Sequence, residues 1–159
     1  MPADLTVERI LTILSETPDR LAELTAGITP AQLTTAPEAG EWSAVEVLAH
    51  LRSCSDAWGD AIDSILAEDH PTIATFNAHS GIEPMRYRNS EFRTSLRAYT
   101  RQRAKLLTTL EELRPRGWER AATVTGAGTP LEKDVHAFAQ RLARHERPHI
   151  KQIQDLVTG

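Results

Sequence analysis

The sequence predicts an all-α protein, a four-helix bundle, and three observations carry that reading. Apolar residues recur at three- and four-residue intervals over four long stretches, each with one apolar stripe. No stretch shows a convincing alternation of strand type. Capping boxes of the form S/T-x-x-E stand ahead of two of the stretches, at Ser43–Glu46 and Thr129–Glu132. Long helices with single stripes bury them against one another, and four of them make a bundle. At 159 residues without an internal repeat, the chain fits a single domain over 1–159.

In the first stretch, Leu5, Ile10, Ile13, Leu14, Leu21 and Leu24 place a helix over 5–26. Pro18 lies inside it, so either the helix kinks or Thr17 caps a second segment that starts at Pro18. Thr29-Pro30 opens a short helical turn, followed by loop. The second long helix begins at the Ser43/Glu46 capping box, with Trp42 placed to pack as a staple. Val47, Leu51, Cys54, Trp58, Ala61, Ile62 and Ile65 form its stripe. His50 falls at the stripe's edge, about 60° from its centre, where it can face the bundle interior.

Residues 69–89 hold two prolines, a glycine and two histidines and show no period, which predicts a long connection suited to a crossover or to covering a site. The third helix runs from about Ser90 to Leu113, with Arg103 in the centre of its apolar face. A second irregular connection follows, its turns marked by Gly126 and Gly128. The last helix is expected to start at the Thr129 capping box and to bury Val135, Phe138, Ala139, Leu142, His149, Ile150, Ile153 and Val157. Glu146 lies near the centre of that stripe, as unexpected there as Arg103 in its own.

Composition narrows the function. The net charge of −4 comes with scattered Lys and Arg, so no nucleic acid partner is expected. The N-terminus lacks the pattern of a secretory signal and no apolar run is long enough to span a membrane, which predicts a cytoplasmic protein. A single cysteine, Cys54, leaves no intrachain disulfide and no Cys-rich zinc site. Any metal must be held by histidines and carboxylates.

His145 and His149 stand four residues apart on the last helix, so their rings leave one face about a turn apart and can reach one ion. Two histidines rarely hold a metal alone, and His50 is the candidate third. His136 points about 180° from His145 and is expected at the surface. His70 and His79 reach the site only if their loop folds over it. The string His145-Glu146-Arg147-Pro148-His149 also satisfies the zinc-protease motif H-E-x-x-H. That reading fails because Pro148 sits inside the required helix, Gln152 stands where the extended motif has glycine, and the strand framework is missing. Pro148 also removes a bond to the carbonyl of Arg144: a modest kink between the two candidate ligands would keep them paired, whereas a new helix starting at Pro148 would leave them no longer one turn apart.

Together EWSAVEVLAHL at 41–51, the GTPLEKDV helix start and RHERPHIKQI at 144–153 make the chain resemble the DinB-like superfamily, which includes mycothiol- and bacillithiol-dependent transferases. The resemblance implies a four-helix bundle with up-down-down-up connectivity and long crossover loops, a divalent metal (zinc or nickel foremost) held by His50, His145 and His149, and, by analogy, a homodimer. Three imidazoles leave an open position on the ion, where a low-molecular-weight thiol would lose its proton and attack an electrophile. Arg103 and Glu146 are the candidate catalytic residues, to bind substrate or position water, unless they form an ion pair across the bundle. The alternative is a non-catalytic, stress-related bundle that binds a small ligand or partner.

Overall fold

In the computed structural model, which describes residues 3–74, 87–126 and 128–158, the elements run in the order α1 (Val7–Thr25), α2 (Pro30–Thr34), α3 (Ala44–Ala67), β1 (Thr72–Ala74), α4 (Phe92–Glu111), α5 (Pro115–Trp118), β2 (Ala121–Thr125), β3 (Leu131–Asp134) and α6 (Val135–Thr158). The four long helices form the expected bundle. Beside it lies a small sheet of order β1-β2-β3.

Side-chain pairings give the helix directions. Between α3 and α4, Arg52 bonds Ser95 and Ser55 bonds Gln102, so both chains advance together. Along α1 and α6, Leu5 meets His136 and Gln140, while Ile13 and Thr17 share a cavity wall with Arg147 and Ile150, again in parallel. By contrast Leu14 and Thr25 of α1 meet Arg103 and Arg93 of α4 in reverse order. The same reversal relates His50 and Trp58 of α3 to His149 and Arg141 of α6. These pairings are up-down-down-up. Each long helix packs on two others, with α1 opposite α3 and α4 opposite α6 across the diagonals.

Local chemistry explains the boundaries. The Ser43 hydroxyl accepts the Glu46 N–H at 3.3 Å and the Glu46 carboxylate accepts the Ser43 N–H at 3.2 Å, a complete capping box. Thr29 and Gln32 build another ahead of α2. Pro18 neither ends α1 nor starts a new segment: the helix is continuous through it. Its missing N–H leaves the Leu14 carbonyl without its helical donor, and Arg103 Nη1 supplies one at 3.0 Å. α6 is likewise continuous through Pro148.

Two expectations are corrected. The second connection is not irregular throughout, since it holds α5 and the hairpin of β2 and β3. Nor does the last helix start at Thr129. Leu131, Glu132 and Lys133 pair with Val124, Thr123 and Ala122 in the ladder, and α6 begins only at Val135, where Asp134 Oδ1 accepts the Ala137 N–H at 2.8 Å. A ladder along four residues outweighs one capping box, because it satisfies more backbone groups. β1 pairs in parallel with β2, tying the long connection to the hairpin.

Two apolar clusters fill the bundle. One gathers Ile10, Leu14, Trp58, Ile62, Leu106, Val135 and Leu142, and the other Leu21, Val47, Leu51, Phe92, Leu96 and Ile153. Buried polar groups accompany them: Thr17, His50, Ser55, Arg103 and Glu146. Among the described residues, no helix is long and apolar enough to cross a membrane.

Candidate metal centre

His50, His145 and His149 converge. A ring nitrogen from each lies within 4.8 Å of the others, the one such group of metal-binding side chains among the described residues. The ring centroids are 4.7 to 4.9 Å apart. His50 Nε2 is 3.0 Å from His145 Nε2. Nitrogens about 2.0–2.1 Å from a shared ion sit roughly 3 Å from each other, so the separation between His50 and His145 suits one cation, with His149 close by. The donor set fits too, since neutral imidazole is the commonest protein ligand for divalent transition metals.

The positions follow from the helices. The Ser43 cap fixes the phase of α3, which turns His50 fully inward. The continuity of α6 keeps His145 and His149 one turn apart despite Pro148. His145 and His149 are half-buried, so the group reaches the surface from the α6 side.

Neighbouring side chains hold the rings. His149 Nδ1 lies 2.9 Å from Gln152 Oε1, which orients that ring with its other nitrogen toward the group. Trp42 packs on His50 at 5.0 Å between centroids, and Trp58 meets His145 edge-on at 5.0 Å. Cys54 Sγ lies 3.8 Å from His50 Nε2 and 3.9 Å from His145 Nε2. Burial pushes its thiol up to about 12, against a lowering by Arg141, so it stays protonated at neutral pH.

Arg103 and Glu146 are bonded to each other rather than to the histidines. Arg103 donates to both Glu146 oxygens, through Nη1 at 3.0 Å and through Nη2, and Nη2 also bonds Tyr99 Oη at 3.0 Å and Ser55 Oγ at 3.3 Å. Tyr99 donates to Glu146. Both members of the pair are buried. Burial works to lower the Arg103 pKa, but Tyr99 and Glu146 hold it above its ordinary value, so the cation persists. The carboxylate of Glu146 faces this network, not the ring nitrogens, which removes the protease reading of H-E-x-x-H on geometric grounds as well.

The other histidines lie apart. His136 is half-buried rather than at the surface, with Nε2 2.7 Å from the Leu5 carbonyl and its ring against Trp118. His70 pairs with Glu132 at 2.7 Å and contacts Thr123 Oγ1, on the sheet. His79 lies outside the described residues. The sequence reading missed Gln152, although its place three residues after His149 puts it on the same helix face. It also missed that Trp42 and Trp58, taken as a staple and a core residue, flank the site.

A family model described as the DinB superfamily matches residues 13–153. Among solved structures, YfiT from Bacillus subtilis, described as a probable metal-dependent hydrolase with an unusual four-helix bundle topology, is similar with a TM-score of 0.79 and 18% identity, over 98% of this chain and 90% of that one. No curated protein matches significantly.

Proposed function

The chain belongs to the DinB superfamily, and from that premise we propose a metal-dependent transferase in which His50, His145 and His149 hold a divalent ion, zinc or nickel, and a low-molecular-weight thiol attacks an electrophile. The observation that carries this reading is the convergence of three ring nitrogens from two helices within 4.8 Å. When bound, the ion supplies a Lewis acid that depresses the pKa of an incoming thiol. In the transfer the thiol proton passes to solvent, the sulfur–carbon bond forms and the bond to the leaving group breaks, with no change of oxidation state.

The chain's own residues do the rest. Gln152 orients His149, and Trp42 and Trp58 pack on either side of the rings. Cys54 is buried beside the rings of His50 and His145, and in this reading the attacking sulfur comes from a co-substrate. Arg103 and Glu146 act as positioning residues that tie α4 to α6 one residue from His145.

A second reading, hydrolysis with water as the nucleophile, draws on the description of YfiT. The thiol reading is preferred because a thiol needs less help than water to ionise.

The test starts with untagged protein, its metal content measured by elemental mass spectrometry. Stoichiometric metal, thiol-dependent turnover of a generic electrophile and loss of both in His50→Ala are expected. Ester hydrolysis without thiol would favour the second reading. Metal without either turnover would leave the non-catalytic bundle.

A further inference from the structure

We infer that the site takes an organic anion with a short apolar body, bound on the α6–β3 side by Lys133 and Arg141 and received by the apolar wall beside them. This names a substrate class for the proposed centre and rests on that reading for its role in turnover, though the binding itself does not.

Three large cavities border α6, and they differ in charge and in their relation to the histidines. One of about 500 Å³ against α1 is lined by Glu16, Asp19 and Glu23 as well as arginines. Another of about 950 Å³ beside α2 carries Glu41 and Asp155. Neither includes a member of the triad in its wall. The third, of about 360 Å³, is lined by His145 itself together with Lys133, Arg141 and Arg144, and by no carboxylate.

Three cations around one cavity stand out in a chain of net charge −4. Among the described residues, no carboxylate lies within ion-pair distance of Lys133 or Arg141. Arg141 instead stacks over Trp58 at 5.6 Å, and Trp58 meets the edge of His145 at 5.0 Å. Cations unpaired by the protein and set beside a reaction centre attract and orient an anion.

The apolar part has its own place. A cavity of about 180 Å³ shares Lys133, Ala137 and Arg141 with the cationic one and adds Trp58, Phe138 and Leu131. Leu131 is 50% exposed, the one large exposed hydrophobic among the described residues. With Trp58 and Phe138 it gives the small pocket an apolar wall next to the cations, the mixed lining that suits a ligand with an apolar body and a charged end. The two cavities joined at Lys133 and Arg141 thus read as one amphipathic subsite.

The probes are 4-phenylbutyrate, the corresponding alcohol and the corresponding amine, titrated calorimetrically into metal-free protein and again into metal-loaded protein. In both forms the carboxylate is expected to bind about tenfold or more tightly than the amine, the order set by charge-assisted contacts. Lys133→Gln and Arg141→Gln each weaken the carboxylate several-fold, and together they erase its preference. Leu131→Ser weakens carboxylate and alcohol alike. All three positions are exposed, so the variants should keep wild-type melting temperatures and metal content. Equal affinity for amine and carboxylate, a preference that survives in the double variant, or no binding at millimolar probe would overturn the proposal. So would a preference present only with metal loaded and indifferent to Lys133 and Arg141, which would mean direct ligation of the ion. Failure of the wild-type protein to hold metal would sink the centre's assignment while leaving the metal-free titration to decide this one.

Discussion

Pro18 and Arg103 are complementary: the proline withholds a donor from the Leu14 carbonyl, and the arginine, from the opposite chain direction, provides it at 3.0 Å. The same guanidinium bridges to Glu146 on α6. One side chain therefore joins α1, α4 and α6 in the interior, through groups that the apolar stripes would otherwise leave unsatisfied.

Removing the guanidinium should expose that dependence. Arg103→Met strands a buried carboxylate and an orphan carbonyl, and the loss expected is about 3–5 kcal/mol. Pro18→Ala restores a helical donor to Leu14, so its stabilisation should be larger in the Arg103→Met background than in the wild type by about 1 kcal/mol. Urea unfolding of the four proteins in the cycle measures the coupling; additive effects would mean that the carbonyl contact contributes nothing.

Metal should bind the folded chain alone. Zinc at about 100 times its dissociation constant is expected to add about 2.7 kcal/mol, which for a domain of this size raises Tm by roughly 5–10 °C. A chelator should reverse the rise, and His50→Ala should show none. Differential scanning calorimetry with and without chelator is the check.

Gln152 offers a subtler probe. Gln152→Ala frees the ring of His149 without touching a candidate ligand, and outer partners of this kind typically contribute about 10–100-fold to metal affinity. Competition with a fluorescent chelator should find weakened but stoichiometric binding. Unchanged affinity would show that the ring is fixed by packing.

Cys54 carries a pH dependence. Its folded pKa of about 12 exceeds the ordinary thiol value because of burial, so the folded state holds its proton where the unfolded chain releases it. The resulting stability is complete below the unfolded thiol pKa and is lost as pH rises toward about 12. Denaturation of metal-free protein between neutral and alkaline pH should show that decline, and Cys54→Ala should flatten it. At pH 8 the native thiol should resist alkylation at a rate set by unfolding.

Much of this was legible in the sequence where one helix fixed a residue's direction. The Ser43 cap set the phase of α3, and that phase alone put His50 at the inner edge of its stripe. The four-residue spacing did the same for His145 and His149. The strands were not legible, because segments of three to five residues such as β1 and β2 acquire their conformation from partners far along the chain. The run Ala121–Thr125 followed by two glycines did carry a hairpin signal, but the neighbouring Thr129 box offered a competing helix start. Arg103 and Glu146 were conspicuous in their stripes, yet periodicity could not tell a mutual ion pair from a substrate contact. Gln152 could be placed beside His149 by its three-residue spacing alone, whereas Trp58 acquires its role only when α3 and α6 meet.

The diagonal placement of α1 and α3, and of α4 and α6, has a kinetic side. Of the packed pairs of long helices only α3 and α4 follow each other along the chain, while α1–α4, α3–α6 and α1–α6 skip one or two long helices, so much of the assembly depends on distant encounters and should be slow for a helical protein. Since α6 is the last of the four to be synthesised, the imidazole cluster closes only at the final docking event. Ion uptake then becomes a reporter of completed folding rather than a template for it, and a ribosome-stalled chain lacking α6 should capture no metal.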